Sequence, residues 1–123
     1  KQDYDFVLDG FWVNYQNQHE YQPIHDHGGV YSFAAWLKIP TSYKDQALID
    51  NAKDAGSSWN SAFMFQYNTI FGEDMPYMYQ LDPSYENTLL FFPSKLKHAV
   101  YPYFQCDEQR ISISGNLWLR ARD

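Results

Sequence analysis

Arg110-Ile-Ser-Ile-Ser-Gly-Asn-Leu-Trp-Leu119 is the most readable stretch of this 123-residue chain. Side chains of a strand alternate between its two faces with period two. Arg110, Ser112, Ser114 and Asn116 therefore share one face, and Ile111, Ile113, Leu117 and Leu119 share the other, with Gly115 between them. Two arrangements fit this alternation. An ordinary antiparallel sheet turns its polar face to solvent. A barrel-like cup turns it inward, where a ligand needs a few well-placed polar groups.

The rest of the chain reads in the same way. Short segments rich in Val, Ile, Tyr, Phe and Trp alternate with turn residues, the pattern of an all-β domain. Strands are expected at Phe11–Gln16, Val30–Ile39, Ala62–Tyr67, Leu89–Phe92, Ala99–Tyr103 and Arg110–Leu119. Ser42 to Asp54 reads as one short helix in a long inter-strand connection, and such connections often serve as lids or binding loops. There is no internal repeat, low-complexity tract or Pro/Ser-rich linker, so residues 1–123 read as a single domain. Lys1 in place of Met suggests a chain trimmed at its N-terminus.

Eleven Tyr and nine Phe bring the aromatic content to 20%, which favours pleated, half-buried surfaces. A net charge of -6 argues against non-specific binding to nucleic acid, which requires a basic footprint. The one cysteine, Cys106, cannot form an internal disulfide, so nothing marks a secreted scaffold. No apolar run is long enough to span a bilayer, and no signal-peptide pattern opens the chain. The expected protein is soluble and intracellular.

Chemistry gathers around three histidines. His25 and His27 flank Asp26 in Pro23-Ile-His-Asp-His-Gly-Gly29, and His98 stands alone far downstream. In an extended strand His25 and His27 point the same way and Asp26 points opposite. The two histidines are thus the leading ligand candidates. Asp26 is the reserve carboxylate: a bulge at Gly28-Gly29 could turn it inward, or it could orient one of the rings. His98 follows a strand and a turn at Pro93-Ser94, on a second strand. A distant third histidine can complete a facial triad that leaves the opposite coordination positions open. Arg110 offers a planar fork matched to a carboxylate, and Ser112 adds a hydroxyl on the same face.

A His pair, a distant His and then Arg-x-Ser, in this order, resembles the non-haem iron, 2-oxoglutarate-dependent dioxygenase superfamily. The chain is most similar to a branch of 2-oxoglutarate/Fe(II) oxygenases from bacteria and phages. The matching segments are Trp12-Val-Asn14, Gln22-Pro-Ile-His25-Asp-His27, Gly29-Val-Tyr31, Phe91-Phe-Pro-Ser94, Leu96-Lys-His98 and Glu108-Gln-Arg110-Ile-Ser-Ile-Ser-Gly-Asn116. The resemblance implies a double-stranded β-helix (a jelly roll of the cupin type) with Fe(II) held by His25, His27 and His98. It also implies 2-oxoglutarate paired with Arg110 and Ser112 and approached by Asn14. Two features depart from the family pattern: His27 stands where a carboxylate is usual, and Ser61–Tyr67 has no obvious counterpart.

The expected activity is hydroxylation of an unidentified substrate with dioxygen, in the cytoplasm, or in the host cytoplasm if the chain is phage-encoded. Tyr31, Trp36, Phe63, Phe65 and Trp118 are candidates to shape the pocket. A cupin-like dioxygenase without cosubstrate would suit a His-only site but leave Arg110-Ile-Ser112 without a reason. A non-enzymatic jelly-roll binding module would need none of these residues.

Overall fold

The computed structural model describes residues 1–123 as two four-stranded antiparallel sheets facing each other. One sheet contains β1 (Tyr4–Gln16), β8 (Arg110–Ala121), β3 (Tyr31–Lys38) and β6 (Leu89–Pro93), in that order. The other contains β2 (Gln22–His25), β7 (Lys97–Val100), β4 (Ala62–Asn68) and β5 (Asp74–Gln80), in that order. The fold is all-β and of the jelly-roll, cupin-like class. Its one α-helix, α1 (Tyr43–Ala47), opens the long connection from β3 to β4 and is much shorter than the Ser42–Asp54 span expected for it.

Long-range register explains the architecture. β8 lies between β1 and β3, pairing Asn14 with Ser112 and Trp36 with Ser112 from its two sides. In the other sheet, β7 joins the two halves of the site by pairing His25 with His98 and Phe65 with His98. The core forms where the inward faces meet, from Ala34, Trp36, Ile39, Phe63, Phe65, Leu81 and Phe92. Trp36 meets Phe63 edge-on at 5.5 Å, and Phe65 meets Phe92 at 4.9 Å. Edge-to-face contacts of this kind add to simple area burial.

All six expected strands form, with shifted ends, and two strands were not anticipated. β2 contains Pro23 and β5 contains Pro76. Both are edge strands, where a residue without an N–H costs no ladder hydrogen bond. β1 starts well before Phe11, because a register shift between Leu8 and Phe11 interrupts its alternation.

Candidate metal and carboxylate site

β2 ends at His25, so His25 and His27 do not share a strand face as the spacing implied. His27 lies on the turn beyond the strand, where its N–H donates to the Ser94 carbonyl at 2.9 Å. The following glycines let that turn pass beneath Trp118. Gly29 has φ +94°, and a Cβ there would meet the Leu117 carbonyl at 2.8 Å; a Cβ on Gly28 would strike the Trp118 ring at 2.9 Å. Asp26 is exposed and outside the cluster, although it lies beyond the end of β2 and not on a strand.

The ligand-type nitrogens of His25, His27 and His98 all lie within 4.8 Å of one another. His27 Nε2 and His98 Nε2 are 3.1 Å apart. Imidazole nitrogens at about 2.1 Å from one ion, subtending roughly 90–109°, stand about 3.0–3.4 Å apart, so this edge has coordination size. Backbone carbonyls hold two of the rings: His25 Nδ1 donates to Pro23 O at 2.6 Å, and His98 Nδ1 donates to Leu96 O at 3.1 Å. Donation from Nδ1 leaves the lone pair on Nε2, the tautomer a metal ligand needs.

Burial disfavours the charged form of two of the rings. It lowers the His98 pKa to about 4 and also lowers that of His27. Phe63 stacks on His98 at 5.5 Å, and Phe92 and Phe65 meet it edge-on. The Trp12 ring is 5.8 Å from that of His27. The donor set and its geometry suit a borderline transition-metal ion.

A cavity of about 360 Å³ runs between the sheets, with His27 and His98 in its lining, and reaches Arg110, Ser112 and Asn14. Arg110 is 2% exposed and takes part in none of the chain's ion pairs. Its Nη1 donates to Gln16 Oε1 at 3.3 Å, and its Nη2 donates to the Ser61 carbonyl and hydroxyl at 3.1 and 2.8 Å. The guanidinium lies 5.2 Å from the centre of the Tyr103 ring. Nε is buried with no partner. Desolvation without a counter-anion pushes the Arg110 pKa down to about 10. A buried cation with no counter-anion in the lining of a cavity fits an incoming carboxylate.

Asn14 Nδ2 donates to Ser112 Oγ at 3.3 Å and to Ser114 Oγ at 3.1 Å, so each hydroxyl keeps its own proton to donate elsewhere.

Of the five aromatics expected to shape the pocket, Trp36 and Phe63 line it. Phe65 is buried behind them in the core. Tyr31 pairs in register with Leu117 on the opposite side of its sheet, stacked on Phe91 at 4.9 Å. Trp118 is 43% exposed over the Gly28-Gly29 turn. The sequence reading missed Ser61, Gln16 and Tyr103. Ser61 opens the very segment that lacked a counterpart, and no periodicity marks it.

Two facing antiparallel sheets bring three imidazoles that could hold a metal ion, and one buried guanidinium, to one cavity or its rim. The chain belongs to the family described as "Putative 2OG-Fe(II) oxygenase", whose model matches residues 10–116 and so includes every site residue named above. No curated protein matches the chain.

Proposed function

We propose that the protein is an Fe(II)- and 2-oxoglutarate-dependent dioxygenase that hydroxylates a C–H bond of a substrate not yet identified. The observation that carries this reading is one cavity whose lining holds the His27 and His98 imidazoles and a buried guanidinium with no counter-anion. When bound, Fe(II), 2-oxoglutarate and dioxygen supply an oxidative decarboxylation to succinate and carbon dioxide, coupled to insertion of one oxygen atom into the substrate.

The chain's own residues position and shield. His25, His27 and His98 would hold the ion, their rings aimed by Pro23 O and Leu96 O. Arg110 would pair with the far carboxylate of 2-oxoglutarate as its counter-anion. Ser112 would donate its hydroxyl proton to the same group, and Asn14 would keep Ser112 turned toward it. Trp12, Trp36 and Phe63 line the walls, and such apolar surfaces keep water off the reacting groups. The acidic chain, with no helix long and apolar enough to cross a membrane, points to a discrete substrate met in solution rather than long nucleic acid.

The three-imidazole set by itself also suits a cupin-like dioxygenase without cosubstrate. That reading leaves the buried Arg110 cation without a counter-anion. The deciding assay supplies Fe(II), ascorbate, dioxygen and 2-oxoglutarate without substrate and measures succinate. Slow uncoupled conversion, abolished in His98→Ala, is expected. No conversion, with no effect of 2-oxoglutarate on metal binding, would remove the cosubstrate from the account.

A further inference from the structure

We propose that Ser61 is the positioning residue that aims Arg110 into the cavity. This rests on the reading of Arg110 as the carboxylate anchor. Ser61 immediately precedes β4, in the sheet opposite the one that contributes Arg110. It is 0% exposed, and it grips a single guanidinium nitrogen twice: Arg110 Nη2 donates to its carbonyl at 3.1 Å and to its Oγ at 2.8 Å. Gln16 Oε1 accepts from Nη1 at 3.3 Å on the other side. Nε is the atom left orphaned. The grip at Ser61, with Gln16 on the other side, therefore fixes the direction in which the guanidinium faces.

The backbone at Ser61 shows what that grip requires. Its φ is +68°, in the left-handed region where a Cβ is unfavourable and glycine is the easy choice. The conformation is held by Ser61 N–H donating to Pro102 O at 2.8 Å and by Ser61 Oγ donating to Leu81 O at 3.3 Å, with Thr41 Oγ1 also 3.3 Å away. A glycine would relax the backbone and keep the carbonyl contact, but it would lose the hydroxyl. A serine in a left-handed position, with its hydroxyl on a buried cation, is strain kept in place by a functional contact.

Orientation and stability can therefore be separated. Ser61→Gly relieves strain and removes the hydroxyl; Ser61→Ala retains the strain and also removes it. Both should weaken 2-oxoglutarate binding to the Mn(II)-loaded protein about tenfold, as expected for losing a hydrogen bond to a charged group. Only Ser61→Ala should melt clearly lower. A second readout needs neither metal nor ligand: nitrogen-15 NMR of the Arg110 guanidinium. Restricted rotation should give separate Nη signals in the native protein, merging in both variants. Native-like affinity and native-like Nη signals in Ser61→Gly would overturn the proposal. If the native protein binds no 2-oxoglutarate, the proposed function fails, and the NMR comparison still decides whether Ser61 aims Arg110.

Discussion

The two faces of the β1-β8-β3-β6 sheet invert the usual division between core and surface. The inward face carries Asn14, Gln16, Arg110, Ser112, Ser114, Ser32 and Asn116 among its few aromatics. The outward face is apolar across all four strands. In one row Phe11 faces Gly115, Gly115 faces Phe33, and Phe33 faces Phe91; in the next, Val13 faces Ile113, Ile113 faces Ala35, and Ala35 faces Leu89. Phe11 is 58% exposed and Phe91 56%, while Arg110 on the inward side is 2% exposed. Hydrophobic burial alone would turn this sheet over. What holds the polar face inside is that its groups are hydrogen-bonded to one another and to the opposite sheet. The bonds from Asn14 to Ser112 and Ser114, from Ser32 to Ser94 and Asn116, and from Arg110 to Ser61 make the burial tolerable. A face kept polar at this expense is what the proposed binding role requires.

That contrast can be attacked residue by residue. The largest effect should come from His98→Ala, which removes the buried ligand shared by the two halves of the site. Stoichiometric Fe(II) or Mn(II) binding should be lost by calorimetry while the β-rich circular dichroism spectrum persists. Retained metal would mean that the third ligand lies elsewhere.

Arg110→Ala comes next. Removing one partner of a desolvated charge pair costs roughly 2–5 kcal/mol in binding. Titration with 2-oxoglutarate should show that loss, and an unchanged affinity would remove the clamp. Ser112→Ala should cost about 1 kcal/mol, the usual worth of one hydrogen bond. On the outward face, Phe91→Ser should leave 2-oxoglutarate affinity unchanged and alter stability by about 1 kcal/mol or less, because the side chain is already more than half in water. A strong effect on binding there would erase the distinction between the faces.

The smallest expected effect lies at alkaline pH. The buried Tyr103 hydroxyl lies 2.6 Å from Gln16 O and 2.7 Å from Glu108 O, its one proton shared between the two carbonyls, and burial pushes its pKa up from 10. A pKa raised on folding gives stability that is complete below about pH 10 and is lost as pH rises through the folded value. Melting temperature followed from pH 8 upward should fall above pH 10, less steeply in Tyr103→Phe.

What the sequence revealed of this molecule follows a physical division. β8 could be read almost to the residue, because period-two alternation is a local property of a regular strand. The three histidines and Arg110 were legible as residue types with distinctive chemistry, and the fold brings all four to one cavity or its rim. The contrast between the two sheet faces was half legible. The alternation showed that one face was polar; only the second sheet determines that this face points inward. β2 and β5 escaped because Pro23 and Pro76 are breakers everywhere except at an edge, and edge position is a tertiary fact. Ser61 left no trace in the pattern: its role lies in one positive φ and two contacts to a residue far along the chain.

The central claim is that the imidazole cluster and the Arg110 fork engage one ligand together. Anaerobic calorimetry of 2-oxoglutarate binding, with and without saturating Mn(II), tests it most directly. The account predicts that the metal tightens 2-oxoglutarate binding at least tenfold, and by linkage that 2-oxoglutarate tightens metal binding by the same factor. Equal 2-oxoglutarate affinity with and without metal would contradict it, leaving two separate sites inside one jelly roll.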